Sequence, residues 1–349
     1  MFHEDRCTRC GDCFARCHYL DYDQEEAKLQ IDLLIGGKPS EVMARCVTCA
    51  ACNNYCPEDA NPFDLILKRN EETDAMPVLP AFKSMFRHVN NIPVSIVPGD
   101  PNKPALSLCI IEMNLPRSID GQMFEGMTRI TGSDYFCWMG VIHVGQKQMI
   151  GDNLRRSVAN LAATGYKDII FVHDECYSSL HIAAKEFGIN IPFRYRHIMD
   201  YMLEYLKNNK EKVRKLNLTV GMQAPCSMRY VPEMDGVIDE IFELIGVSRP
   251  PRKFDRENRF CCGIPLHWSG QEERAAQNRG KILADIKQTG ATAVATLCPL
   301  CTKTLGTDAQ ARGLDIYLIH DLVRLSLGET LPEPNLTPID WKERAKRYE

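Results

Sequence analysis

Apolar and polar positions along this 349-residue chain change character three times. Up to about residue 71, short helix-period stretches alternate with cysteine-rich loops. Val42 to Arg45 leads directly into one such loop, and Asn61-Pro62 followed by Phe63-Asp64-Leu65-Ile66 opens a helix with proline at its start. After Glu71-Glu72-Thr73-Asp74 comes a stretch punctuated by Pro77, Pro80, Pro93, Pro98, Pro101 and Pro104. Proline fixes φ and removes a donor, which predicts an ordered connector rather than helix or sheet. Beyond it, β-branched or apolar runs at Leu106 to Ile111, Ile169 to Val172, Leu218 to Met222 and Ala293 to Leu297 read as strands. Helix-period segments lie between them: Asp152 to Ala163, His181 to Phe187, Ile198 to Lys207, Val237 to Leu244 and Ala275 to Lys287. Strand and helix in alternation predict α/β sheets, much of them parallel.

Laid on itself at an offset of 125, the chain repeats. Cys137 falls on Cys262, Gly145-Gln146 on Gly270-Gln271, Asn153 on Asn278 and Thr164-Gly165 on Thr289-Gly290. In the same register Cys176 meets Cys301, Leu180 meets Leu305, Gly188 meets Gly313 and Ile191 meets Ile316. A gap-free match of glycines and cysteines at turn positions predicts an internal duplication.

Composition narrows the class. Length exceeds what one core organises, so two or three domains are expected. With 44% hydrophobic and 25% charged residues the chain reads as globular, and a net charge of -4 gives no reason for a nucleic-acid surface. Residue 7 is already a motif cysteine, which leaves no room for a signal segment, and no apolar run is long enough to span a bilayer. The expected setting is a reducing, anaerobic cytoplasm, with any membrane association through a partner subunit. Gly36-Gly37, Gly99 and Gly121 form no phosphate-binding fingerprint, so flavin chemistry is assigned to another subunit.

The sixteen cysteines carry most of the chemistry. Cys7, Cys10, Cys13, Cys17 and Cys46, Cys49, Cys52, Cys56 each read C-x2-C-x2-C-x3-C. In two-cluster ferredoxins the first three cysteines of such a run hold one [4Fe-4S] cubane and the fourth crosses to the other. This predicts Cys7, Cys10, Cys13 and Cys56 around one cluster and Cys46, Cys49, Cys52 and Cys17 around the second. Zinc sites use cysteine pairs, and triplets argue against them. The first run ends Cys17-His18 where proline is usual, and the helical pattern between the runs points to an all-helical ferredoxin domain.

A third array comprises Pro225-Cys226, Phe260-Cys261-Cys262-Gly263-Ile264-Pro265 and Cys298-Pro299-Leu300-Cys301, with thirty-four residues between Cys226 and Cys261 and thirty-four between Gly263 and Cys298. With the two ferredoxin runs, it resembles the heterodisulfide reductase catalytic subunit family, in the form that fuses a helical ferredoxin domain to two CCG-type repeats. The resemblance covers nearly the whole chain. It implies an α+β multidomain architecture: residues 1–75 a two-cluster ferredoxin domain, 76–104 a Pro-rich linker, 105–212 a first, degenerate CCG-type α/β repeat, 213–328 a second repeat, and 329–349 a C-terminal tail. It also implies a noncubane [4Fe-4S] cluster on Cys226, Cys261, Cys262, Cys298 and Cys301 as the catalytic site. Five thiolates exceed the four a cubane takes. A cubane with a spare thiol and a redox-active Cys261-Cys262 disulfide stay open as alternatives.

The first repeat departs from this pattern. Cys137-Trp138 stands where CCG would be, and His173-x2-Cys176 stands at the register of Cys298-x2-Cys301. Glu112, Met113 and Asn114 supply no cysteine after the expected strand, and Cys109 reads as core within it. Cys137, His173 and Cys176 then remain either as an additional metal site, a zinc or an unusual cluster, or as a decayed one. Around the second array, His267 and Trp268 are candidates for a pocket wall, and Arg229 for an anion contact or a helix cap. The function expected from the resemblance is an iron–sulfur oxidoreductase subunit that passes single electrons to a disulfide- or thiol-handling site. Its expected partners are a flavoprotein, hydrogenase-type or membrane cytochrome subunit. The rival is a non-catalytic electron relay in such a complex. The tail from Glu329 to Glu349 reads as a docking arm or a disordered end.

Overall fold

The computed structural model describes residues 1–109, 114–115 and 117–348. The part of the expected first strand at Ile110 and Ile111, with Glu112 and Met113, lies outside them. Up to residue 73 the described chain is helical, with helices Asp12–Ala15, Gln24–Ile35, Val42–Arg45, Ala51–Tyr55 and Pro62–Thr73. The two cysteine runs fold alike. Arg9 and Thr48, each preceding the second cysteine of its run, have φ of 58° and 52°, and Gly11 and Ala50, each following it, have 83° and 58°. Left-handed conformations at matching positions wrap each loop around its own centre, at a cost of about 1–2 kcal/mol for each non-glycine residue.

The proline-rich stretch corrects the expectation of neither helix nor sheet. Pro80–Met85 is a helix and Ser95–Val97 is strand β1. Pro80 sits in the first helical turn, where a missing N–H costs nothing, and buried Phe82 and Phe86 anchor the segment on Trp268.

The remainder of the chain builds two parallel-rich sheets. The first contains β1, β2 (Ala105–Ser107), β3 (Arg129–Thr131), β4 (Asp168–Phe171) and β5 (Arg194–His197) in the order β1-β3-β2-β4-β5, with only β1 antiparallel. The second contains β6 (Leu218–Gln223), β7 (Val247–Ser248), β8 (Ala293–Thr296) and β9 (Asp315–Leu318) in the order β7-β6-β8-β9. Without β1 the two orders are the same, and β4 and β8 are offset by 125 residues, as the duplication requires. The expected strands at 169–172, 218–222 and 293–297 are found within a residue or so of their limits. The first ends earlier, at Ser107, which takes Cys109 out of the strand. Buried side chains from all parts of the chain, from Cys13 to Ala345, join into one principal core. The tail corrects the disordered alternative: Trp341–Lys346 is a helix, and Trp341 packs edge-on against Trp268 and Phe82. No described helix is long and apolar enough to cross a membrane.

Candidate functional site

Parallel strands collect ligands at their C-terminal ends, because the loops leaving neighbouring strands emerge side by side. In the second sheet Cys226 follows β6, Cys298 follows β8, and Cys261-Cys262 come from the loop before the helix Ile264–Trp268. Cys298 is the N-cap of the helix Pro299–Gln310 and Cys301 lies in its first turn, where the positive end of the helix dipole favours thiolate. Gly263 has φ of 104°, and a Cβ there would meet nothing closer than 3.7 Å. The glycine is therefore required for its left-handed backbone rather than for space.

The five sulfurs neighbour one another in an open chain: Cys226, Cys261, Cys262, Cys301, Cys298. Hydrogen bonding from Cys261 and Cys301 holds the Cys262 thiol at about 6 against burial. Hydrogen bonding from Cys301 likewise holds Cys298 at about 5, with His173 adding to it. Cys226, Cys261 and Cys301 are raised well above the ordinary thiol value. The Gly263 amide donates to Cys261 Sγ at 3.5 Å.

A cavity of about 180 Å³ opens on all five cysteines. Its wall is mainly apolar, from Phe86, Phe136, Ile264, Trp268 and Trp341, with Arg344, His143 and Glu175 among the few polar groups. Trp268 Nε1 is buried without a hydrogen-bond partner among the described residues. His267 is turned instead to Glu272 and Arg279, and Arg229 donates to the carbonyls of Glu257 and Arg259. The expectation that Arg229 meets an anion or caps a helix gives way to an internal clamp. Two wall elements were missed in the sequence, the Phe86 turn and the tail helix, because both lie far along the chain from any cysteine.

In the ferredoxin region Cys7, Cys10, Cys13 and Cys56 line one small cavity, and Cys17, Cys46, Cys49 and Cys52 line another. Each fourth cysteine thus sits with the other run. Burial raises the thiols of Cys7, Cys13, Cys17, Cys46 and Cys52. A lining that disfavours bare thiolates fits a cation-bearing group that neutralises them. Backbone amides already point at two of the sulfurs, Thr48 N at Cys46 Sγ (3.3 Å) and Ala60 N at Cys56 Sγ (3.4 Å).

The second cavity abuts the five-cysteine site. Cys261 N donates to the Tyr19 hydroxyl at 2.9 Å, and Tyr19 lies two residues past Cys17. Thr48 Oγ1 is 2.9 Å from His143 Nδ1, whose Nε2 is 3.5 Å from Cys226 Sγ. Burial opposes a charge on His143, yet Cys226 and Glu175 raise it to about 10. His18, in place of the usual proline, bonds the Asn258 carbonyl at 2.9 Å and packs on Phe260.

The first repeat holds the principal correction. Cys109 is not in a strand core. It lies two residues past the end of β2 with φ of 48°, and its sulfur joins Cys137, His173 and Cys176 in a group whose ligand atoms all lie within 4.8 Å of one another. The turn and helix start of the second repeat are reproduced. Trp138 has φ of 60° where Gly263 has 104°, and His173 caps its helix at φ −97°, ψ 128°, as Cys298 does at −86°, 127°.

Comparison with known proteins matches the two ends of this arrangement. Residues 220–306 match the family described as "Cysteine-rich domain" (CCG), and residues 6–61 match a 4Fe-4S dicluster domain. The D-type subunit of the dihydromethanophenazine:CoB--CoM heterodisulfide reductase of Methanosarcina mazei is 24% identical over 56% of this chain and 50% of its own length. Its counterpart from Methanosarcina acetivorans is 22% identical over 58% and 51%. The chain therefore spans about half the length of these curated relatives. A hypothetical protein from Helicobacter pylori shares the fold with a TM-score of 0.57 at 12% identity, covering 90% of this chain and 65% of that one. The chain joins a 4Fe-4S dicluster domain to a CCG domain and is a distant relative of the D-type heterodisulfide reductase subunits.

Proposed function

We propose that this chain is an oxidoreductase subunit that passes single electrons through its ferredoxin domain to the five-cysteine site, where a small disulfide is reduced or formed. In this reading two [4Fe-4S] cubanes belong to the quartets Cys7, Cys10, Cys13, Cys56 and Cys46, Cys49, Cys52, Cys17. A noncubane [4Fe-4S] group belongs to Cys226, Cys261, Cys262, Cys298 and Cys301. Five thiolates at one site are one more than a cubane takes, which suits a group larger than one ion and different from a cube. When bound, that group supplies one-electron steps and an iron able to take a substrate sulfur.

The chain's own residues supply the rest. Reducing one disulfide consumes two electrons and two protons and yields two thiols, the electrons coming one at a time from a partner redox protein. Phe86, Phe136, Trp268 and Trp341 exclude water from the cleft. His143 Nε2, between Cys226 Sγ and a Glu175 oxygen at 3.6 Å, is placed to hold a proton beside the reacting sulfur. The Tyr19 and Thr48–His143 contacts put the second quartet next to this site, and the first quartet farther out is the natural entry point.

The single observation that carries the proposal is the apolar cavity opening on all five cysteines. A pure relay, with reduction elsewhere in a complex of flavin-containing or membrane-linked subunits, needs room for the cluster alone, whereas this cavity runs on from the cysteines to Met85, Phe86, His88 and Tyr348. The test is anaerobic purification, iron and sulfide analysis, and addition of candidate disulfides under electron paramagnetic resonance. Wild-type chain is expected to change its spectrum and turn over disulfide with a one-electron donor, and Cys261→Ser and Cys262→Ser to do neither. Unchanged spectra and turnover in both variants would sink the proposal.

A further inference from the structure

The four side chains gathered in the first repeat have a geometry that the cluster sites lack. Cys109 Sγ and Cys137 Sγ are 4.0 Å apart, and Cys176 Sγ is 3.8 Å from His173 Nδ1. Zinc–sulfur bonds of about 2.3 Å in a tetrahedron place sulfurs about 3.8 Å apart, and a nitrogen ligand at about 2.0–2.1 Å lies slightly closer. All four atoms lie within 4.8 Å of one another, so they can share one ion. A multi-iron cluster gives each thiolate its own iron and spreads them wider. Among the described residues, the eight ferredoxin cysteines accordingly form no such tight group.

Two further observations point to a ligand. Asp174, wholly buried, has neither carboxylate oxygen hydrogen-bonded among the described residues, and its Oδ1 faces His173 Nε2 at 3.7 Å. A metal on Nδ1 fixes the proton on Nε2 and so gives this carboxylate a donor, the carboxylate–histidine–metal arrangement found around many sites. Strain is the second. Cys109 and Trp138 hold left-handed φ angles that cost non-glycine residues about 1–2 kcal/mol each, and both turn the chain at this point. At Trp138 buried indole packing offsets that cost, so it is the strain at Cys109 that is left for a ligand to offset.

We infer that Cys109, Cys137, His173 and Cys176 form a closed, tetrahedral site of three thiolates and one imidazole for a single zinc ion. No position is left for water or substrate, which makes the site structural. Thiolate and imidazole donors suit zinc, which such sites hold more tightly than ferrous iron. The zinc pins β2, β4 and the intervening loop together. It also fixes His173, whose Nε2 lies 3.9 Å from Cys298 Sγ of the five-cysteine site.

The test is metal analysis of the full chain expressed anaerobically with both iron and zinc supplied. One zinc per chain, retained on dialysis against chelator, with an X-ray absorption fit of three sulfurs and one nitrogen, is expected. Cys109→Ser and Cys176→Ser should lose the zinc and keep the iron, and Asp174→Asn should weaken zinc retention about 10–100-fold. If the serine variants do not fold, His173→Cys decides: it should keep zinc with a first shell of four sulfurs. Absence of zinc, iron in its place, zinc retained in both serine variants, or an unchanged first shell in His173→Cys would each overturn the inference. Zinc and iron are read separately, so failure here leaves the five-cysteine proposal standing, and the reverse.

Discussion

The two α/β repeats place their cysteine and histidine side chains at the same points of the same fold and gather them differently. In the second, five sulfurs form an open chain beside a cavity. In the first, three sulfurs and an imidazole close on a single point, and only the second site is roofed by the tail helix. Strand order, the left-handed turn and the helix cap are shared, so the fold supplies the place and the donor set decides what occupies it. In the first repeat Phe136 stands for Cys261 and His173 for Cys298, and on the proposed reading these two exchanges separate a structural site from a redox one.

The sharpest way to break this comparison is to remove the central cysteine of each repeat in turn. Cys262→Ser should cost disulfide turnover on the order of 100-fold or more and leave zinc in place, since it removes a ligand of the reacting group. Cys137→Ser should release zinc and leave the iron content and the electron paramagnetic resonance signals of the ferredoxin region intact. Metal analysis of both proteins checks the pair. A loss of iron in Cys137→Ser equal to that in Cys262→Ser would mean that the repeats hold one shared site.

A second comparison concerns the turn. Trp138→Gly gives up buried indole packing, for which large-to-small core changes cost about 3–5 kcal/mol. It also relieves left-handed strain of about 1–2 kcal/mol. A net loss of about 1–4 kcal/mol is expected, measured by anaerobic guanidinium unfolding followed by far-ultraviolet circular dichroism. Gly263→Ala should cost about 1–2 kcal/mol, because the methyl group has room and only the φ of 104° resists it. A Trp138→Gly protein more stable than wild type would show that strain outweighs packing at that turn.

Legibility from the sequence follows the range of the interactions. The ferredoxin quartets rest on fixed short spacings that survive without knowledge of the fold, the five-cysteine site was read through its family resemblance across two long gaps, and the strand-to-helix alternation was visible in apolar runs. Strands β1, β3, β5, β7 and β9 were not. They are two to four residues long, and β5 reads Arg194-Tyr195-Arg196-His197, with too few apolar side chains to show a period. Cys109 was misplaced for one physical reason: the apolar run Leu106 to Ile111 outlasts the strand, which ends at Ser107. The signal that could have found it was its pairing with Cys226, each cysteine following the first inner strand of its repeat by two or three residues. The roof was out of reach because Trp341 and Arg344 meet the site only through tertiary packing.

That roof yields the smallest expected effect. Arg344 lines the cavity at the five-cysteine site and lies over the Trp341 ring, its guanidinium carbon 5.6 Å from the ring centre. Among the described residues it is the only arginine or lysine of the cavity wall, and it is partly open to solvent. A cation there favours disulfides that carry an acidic group, but solvent screening limits a single such contact to about 0.5–1.5 kcal/mol. Arg344→Met keeps the apolar stem over Trp341 while removing the charge. It should raise KM for an acidic disulfide about 2–10-fold, leave kcat and the KM of a neutral disulfide nearly unchanged, and show a weaker salt dependence than wild type. Steady-state kinetics with one acidic and one neutral disulfide at two ionic strengths decides it. An equal change for both substrates would reduce Arg344 to part of the roof's packing, and the contrast between the repeats would then rest on the cavity and the cysteines alone.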